Sequence, residues 1–272
     1  MNEGEHREQR APADKQDQKG PVALITGASR GLGLEMARLF ARRGMRLIIT
    51  ARGEDALRRA ADELGGVTEV VAVAGDVADE GHATALVRRG LERFGRIDVL
   101  VNNASTIGPS PMPLLETYPP AALEAVFQVN VGAPLRLAQL VLPQMRARGQ
   151  GVVVNVSSDA GVNAYPTWGG YGASKAALEH LSRVLAVELE GSGVRVYVVD
   201  PGDMDTQMHR EATPGEDLTH LLGPERVAPA LVQIVEQGAA PFGRFEAQAL
   251  QAQELVLTAP ENLDHGSSGG IR

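Results

Sequence analysis

Six short apolar runs recur along the chain, each followed by a stretch with helical spacing, and this alternation restricts the fold more than any other feature. The runs are Val22–Thr26, Met45–Thr50, Val67–Ala74, Ile97–Asn102, Gly151–Val156 and Val194–Val199. They are almost continuously apolar, as strands buried on both faces of a parallel sheet must be. Between them lie helical patterns such as Leu32–Arg43, ended by Gly44, and Ala173–Glu190, ended by Gly191. Strand and helix in strict alternation predict an α/β fold: one domain built on a doubly wound parallel sheet with right-handed crossovers. Ligands of such sheets bind at the carboxyl ends of the strands, so the chemistry is sought there.

The two ends of the chain read differently. Residues 1–20 carry four cations and five acids with almost no large apolar side chain, and they predict a disordered tail. Residues 251–272 include Gly-Ser-Ser-Gly-Gly and predict a partly loose extension. The expected domain is residues 21–250. No run of about 18 consecutive apolar residues is present, and the first 20 residues lack the apolar core of a signal peptide. Neither a membrane partner nor secretion is expected, and a cytoplasmic protein is.

Charge and cysteine content exclude further classes. The 26 Lys plus Arg against 34 Asp plus Glu leave a formal charge of -8, the wrong sign for a protein that grips a nucleic-acid backbone. With no cysteine, disulfide scaffolds, thiolate catalysis and zinc–thiolate sites are excluded, and the six scattered histidines suggest no metal site. Lysine is scarce: Lys15, Lys19 and Lys175 are the only three, so one stands beyond residue 20. A coding preference for arginine accounts for the scarcity. A chemical demand for an ammonium at position 175 accounts for the exception, and composition does not choose between the two.

The first strand runs into Thr26-Gly27-Ala28-Ser29-Arg30-Gly31-Leu32-Gly33 and then an amphipathic helix. Glycines here let the chain turn sharply and approach a pyrophosphate, whose charge suits a helix amino terminus. Packing glycines in an ordinary strand-to-helix turn are the other explanation, but the position at the start of the sheet favours a dinucleotide. Cofactor choice is read at the end of the second strand, where an acid binds a ribose 2′-hydroxyl. The segment is Ile49-Thr50-Ala51-Arg52, with no acid, and Arg52 with Arg30 can clamp a 2′-phosphate instead. NADP(H) is therefore expected over NAD(H). Asp76 and Val77, after the third strand, are placed to touch the adenine, although an acid at a helix start reads equally as a helix cap.

Tyr171 and Lys175 are four residues apart, which puts both on one face of a helix. A phenol titrates near pH 10, so it needs a nearby cation to act as acid or base at neutral pH, and Lys175 is that cation. Ser158, just past the fifth strand, offers a hydroxyl that can hold a carbonyl oxygen in line with the phenol. Pro134 lies four residues after Asn130 in a helical stretch and has no N–H for the Asn130 carbonyl. That carbonyl is then free for a water, unless the proline only marks a kink tolerated by packing.

Taken together, Thr26-Gly27-x-x-x-Gly31-x-Gly33, Asn102-Asn103-Ala104, Asn130, Ser158, Tyr171-x-x-x-Lys175 and Pro201-Gly202-x-x-x-Thr206 resemble the short-chain dehydrogenase/reductase family over about residues 20 to 235. The resemblance implies a Rossmann fold with Tyr171 as acid/base and Ser158 orienting the substrate oxygen. It implies that Lys175 binds the nicotinamide ribose and eases ionisation of the phenol, while Asn130 holds a proton-relay water. It further implies that Asn103 and Ala104 lie beside the cofactor, and that Pro201, Gly202, Met204 and Thr206 line its nicotinamide side.

Three features depart from the family's pattern. Ser105 replaces the glycine that commonly ends Asn-Asn-Ala-Gly. Residues 109–120 carry five prolines and suggest a long rigid loop at the carboxyl rim. The usual closing strand is not evident, although residues 242–247 can form an edge strand, and this weakens any transfer of the family's tetramer; a homodimer or homotetramer is the expected assembly. The substrate pocket is expected from Asp159, Tyr165 and Trp168 on one side and from a lid spanning residues 204–222, with Met208, on the other. The expected function is an NADP(H)-dependent oxidoreductase, a carbonyl reductase or alcohol dehydrogenase, acting on a small-molecule carbonyl or secondary alcohol. The alternative is a catalytically silent NADP(H)-binding regulator with the same fold.

Overall fold

The computed structural model describes residues 20–252. The expected amino-terminal tail and most of the carboxyl-terminal extension lie outside the described residues. The domain is a single seven-stranded, all-parallel sheet in the order β3-β2-β1-β4-β5-β6-β7. Its strands are β1 Val22–Thr26, β2 Arg46–Ala51, β3 Val70–Ala74, β4 Val99–Asn102, β5 Gly151–Val156, β6 Val194–Asp200 and β7 Phe242–Glu246. Six of these are the predicted runs. The seventh adds Phe242–Glu246 beside β6 in parallel, so the closing strand is present after all.

The helices are α1 Gly31–Arg42, α2 Glu54–Gly65, α3 Glu80–Phe94, α4 Pro120–Phe127, α5 Ala133–Arg148, α6 Gly169–Glu188, α7 Gln207–Ala212, α8 Pro224–Gln237 and α9 Ala247–Ala252. Alternation along β1 sends Ala23 and Ile25 to one face, where they meet Met36 and Phe40 of α1, Leu57 of α2 and Leu231 of α8. Val22 and Leu24 point to the other face, against Leu86 of α3 and Leu137, Val141 and Met145 of α5. Both faces are therefore covered, which is why β1, β2 and β5 are buried along their whole length.

Local sequence sets several helix ends. The Asp79 carboxylate caps α3 by accepting from His82 N at 2.6 Å, and Gly95 ends that helix with φ 75°. Thr206 caps α7 through the His209 N–H at 3.3 Å. Where the sequence predicts a kink at Pro134, the chain makes one π-helical turn over Gln128–Gly132, closed by the Ala133 N–H on the Gln128 carbonyl. The helical run 120–148 is long and apolar enough to cross a membrane. Here Leu137, Val141 and Met145 are instead spent on the sheet.

The strand order reverses between β1 and β4, so the loops leaving their carboxyl ends diverge and open a crevice.

Candidate active site

The crevice is a cavity of about 630 Å³. One end lies at the glycine-rich turn. Thr26, at the tip of β1, accepts through Oγ1 from the Asn103 and Ala104 N–H groups at 3.0 and 2.9 Å. The Asn103 amide returns a bond to the Thr26 carbonyl at 2.9 Å and another to the Gly27 carbonyl at 3.3 Å. The β1 and β4 loops are thereby fixed to each other before any ligand arrives. Gly31 takes φ 57°, and a Cβ built on it meets nothing within 4 Å, so this turn leaves an open cradle at the α1 amino terminus. Gly27, Ser29, Arg30 and Leu32 line the same cavity, and a pyrophosphate fits there.

Gly33 is different from its expected place. It does not line the cavity; a Cβ there would come within 2.5 Å of the Gly27 carbonyl and the Asn103 amide. Its role is close packing of α1 under the turn rather than direct contact with a cofactor.

Arg52, Asp76 and Val77 line the cavity just beyond the carboxyl ends of β2 and β3, as do Ala51 and Gly53. Arg30 also bonds Gln207 at the start of α7. The Asp76 carboxylate accepts from Ala78 N at 2.9 Å, so the acid closes a local turn as well as facing the cavity. Pro201, Gly202, Met204 and Thr206 line the same cavity, as do Asn103 and Ala104.

The candidate reactive group, Tyr171, lines the same cavity. Tyr171 and Lys175 occupy successive turns of α6, with the Lys175 Nζ 5.4 Å from the Tyr171 ring centroid. Lys175 is 2% exposed and donates to the Val156 carbonyl at 2.8 Å. Burial pushes its ammonium down to about 8, against the pull of Asp200 and Glu179. Burial pushes the Tyr171 phenol well above its ordinary value, and the hydroxyls of Ser158 and Ser105 oppose that rise. The phenol is thus held protonated, ready as a donor, with a titrating lysine beside it.

Asn130 is 1% exposed and lies behind the cavity wall, in the π turn. Its Nδ2 donates to the Thr106 carbonyl and to Ser174 Oγ at 2.8 and 2.9 Å. Its Oδ1 accepts from Ser105 Oγ and Thr106 N at 3.0 and 2.9 Å. The side chain is fully committed to the frame, which leaves the backbone carbonyl, denied an N–H by Pro134, as its part able to hold a water.

On the substrate side, Trp168 and Met208 line the cavity as expected, with Ile107 and Ala212 making an apolar end. Trp168 meets the Tyr171 ring edge-on at 5.6 Å. Asp159 and Tyr165 are not lining residues. They bond to each other, Tyr165 OH donating to Asp159 Oδ2 at 2.6 Å, because the 45%-exposed Tyr165 turns outward.

Sequence reasoning missed a buried charge cluster under the site. Glu179, 2% exposed, accepts from Ser157 Oγ at 2.7 Å and from Arg244 Nε of β7 at 3.2 and 3.1 Å. Arg244 also lies 3.6 Å from Asp200, whose Oδ1 accepts from Gly202 N at 2.9 Å. The signal was available: Glu179 is four residues after Lys175 and shares its buried face.

Comparisons with known proteins agree with this geometry. The family model for short chain dehydrogenase matches residues 21–217. The 2-(R)-hydroxypropyl-CoM dehydrogenase of Xanthobacter autotrophicus is 39% identical over 189 residues, covering 69% of this chain and 76% of its own. A metagenomic short-chain oxidoreductase solved with NADP superposes with a TM-score of 0.71 at 31% identity, over 84% of this chain and 97% of that one. The 3-ketoacyl-(acyl-carrier-protein) reductase of Brucella melitensis, solved with NADH, gives 0.75 at 29% identity, over 84% and 96%. A sheet of this order with a Tyr and Lys on its crevice-lining helix defines a dinucleotide-dependent oxidoreductase. The chain belongs to the short chain dehydrogenase family.

Proposed function

We propose that the protein is an NADP(H)-dependent oxidoreductase acting on a small-molecule carbonyl or secondary alcohol, with Tyr171 as acid/base. The observation that carries this reading is the convergence of Ser158, Tyr171 and Lys175 on one cavity that Arg30 and Arg52 also line. The cofactor, when bound, supplies or accepts the hydride. The rest is this chain's chemistry. In reduction the Tyr171 hydroxyl gives its proton to the carbonyl oxygen as that oxygen gains negative charge, and Ser158 holds the oxygen in line. Lys175, adjacent and cationic below about pH 8, stabilises the phenolate that results. Proton return runs from solvent past the Asn130 carbonyl to Lys175. In oxidation each proton moves the other way.

Arg30 and Arg52 carry the preference for NADP(H), since no acid stands at the end of β2 to meet a 2′-hydroxyl. The apolar end made by Ile107, Trp168, Met208 and Ala212 suits an apolar carbonyl compound. A cytoplasmic homodimer or homotetramer belongs to the same reading, supported by exposed Leu135 on α5 and Val184 and Val187 on α6.

The test is a screen of ketones and aldehydes with NADPH and NADH side by side, with Tyr171→Phe as control. Turnover with NADPH, lost by about a thousandfold or more in Tyr171→Phe, is the expected result. Tight NADPH binding without turnover of any carbonyl would leave the silent regulator.

A further inference from the structure

Lys175 and Glu179 stand one helical turn apart on the buried face of α6, each 2% exposed. They bond to adjacent residues at the end of β5. The Lys175 ammonium donates to the Val156 carbonyl at 2.8 Å, and the Ser157 hydroxyl donates to Glu179 Oε1 at 2.7 Å. An ammonium and a carboxylate that converge on one strand end, both out of water, feel each other strongly because solvent does not screen them. Ser157 N also donates to the Val199 carbonyl at 2.8 Å, which brings Asp200, the next residue of β6, alongside. Asp200 is buried and lines the cavity with Lys175.

Two buried carboxylates beside one lysine would hold its proton tightly and keep it cationic far above neutral pH. Lys175 instead changes charge at about pH 8, with burial outweighing the pull of both acids. That balance needs the negative charge to be offset, and Arg244 of β7 is the cation that meets both acids. Its Nε donates to the two Glu179 oxygens at 3.2 and 3.1 Å, and its guanidinium lies 3.6 Å from Asp200. The other charged groups around the cluster are engaged elsewhere or face solvent. Asp159, past β5, accepts from Tyr165, the exposed Arg183 of α6 lies 3.5 Å from Glu179, and the exposed Glu246 of β7 accepts from Arg244 at 3.2 Å. Arg244 is not a cavity-lining residue, so it reaches the chemistry only through the two acids.

We propose that Arg244 is a positioning residue for Lys175: paired with Glu179 and Asp200, it offsets the negative charge that would otherwise hold the lysine proton. The effect on turnover rests on the oxidoreductase reading above. With Arg244 in place the lysine releases and regains a proton near neutral pH, as proton return to Tyr171 requires. Without it the ammonium persists to higher pH and gives up its proton less readily.

The experiment titrates the full chain, made with lysine carrying carbon-13 at Cε, by NMR without cofactor. Lys15, Lys19 and Lys175 give three lysine signals, and the one missing in Lys175→Arg belongs to Lys175. Arg244→Leu leaves the acids uncompensated and is expected to move the Lys175 midpoint up by about one unit. Glu179→Gln removes a negative charge, keeps an oxygen for Ser157, and is expected to move the midpoint down by about one unit. Glu179→Gln/Arg244→Leu removes one charge of each sign and is expected to bring it back to within about half a unit of the wild type. With the best ketone of the screen, the alkaline limit of kcat/KM for reduction should shift in the same order, and Arg244→Lys should stay close to the wild type. Loss of stability alone does not move the midpoint in opposite directions. A midpoint that fails to rise in Arg244→Leu overturns the inference, and where that variant is too unstable to titrate, a midpoint unmoved in Glu179→Gln overturns it. The expected midpoints in a protein that turns over no carbonyl overturn the oxidoreductase reading and leave the charge pairing standing.

Discussion

The Lys175 ammonium donates to the Val156 carbonyl at 2.8 Å, tying the catalytic helix α6 to the last residue of β5. That bond orients the lysine but does not offset its burial. Its ordinary value of 10.5 falls to about 8, so the folded protein holds this proton less tightly than the unfolded chain. Between about pH 8 and 10.5 the unfolded state binds more protons, and stability rises with pH. Below about pH 8 the penalty is present in full, about 3 kcal/mol. Lys175→Met is expected to raise Tm by about 2–5 °C at neutral pH, less than the full penalty because the Val156 carbonyl loses its donor. It is also expected to abolish turnover, and calorimetry beside an activity assay checks both. Lys175→Arg should keep the fold by circular dichroism and lose about a hundredfold or more in rate, because a planar fork cannot replace a point charge there.

Arg30 and Arg52 line the cavity from different elements, and the proposed function gives them the 2′-phosphate of NADP(H). Each single alanine substitution is expected to raise the KM for NADPH about tenfold and to leave that for NADH nearly unchanged. A wild-type preference for NADH would remove the basis of this expectation.

Arg244 compensates two buried carboxylates, Glu179 at 2% and Asp200 at 5% exposure. Removing it in Arg244→Leu leaves both in place, at a cost of about 3–5 kcal/mol. Denaturant unfolding should show that loss, and the double variant Glu179→Gln/Arg244→Leu should recover part of it. Additive losses would mean that the two side chains do not stabilise each other.

Pro134→Ala supplies an N–H that can bond the Asn130 carbonyl and convert the π turn to a regular one. Turnover is expected to fall several-fold and to become more sensitive to solvent deuterium. An unchanged rate and isotope effect would separate this carbonyl from proton return.

Most of the fold was legible because its strands are buried on both faces and so read as uninterrupted apolar runs. Phe242–Glu246 was harder: it contains Gly243, Arg244 and Glu246, and its residues are only partly buried. An edge strand needs apolar character on fewer positions, so its pattern is weak. Cavity residues named from motifs, such as Gly31, Ser158 and Tyr171, were found together because each has a fixed place relative to a strand end. Asp159 and Tyr165 were placed by proximity in sequence alone, and loop geometry turned them toward each other. The two explanations of the scarce lysine are compatible: Lys175 is buried beside the Tyr171 phenol, a setting in which the proposed reaction calls for an ammonium rather than a guanidinium.

By itself the sequence determined the alternation of strand and helix, the glycine cradle and the Tyr171–Lys175 pair, because these depend on spacings of a few residues along one chain. Only the tertiary structure decided that Ser105 meets Asn130 and that Arg244 meets Glu179, pairs separated by 25 and 65 residues. Such contacts are fixed by the order and register of the sheet, which bring distant strand ends to one edge.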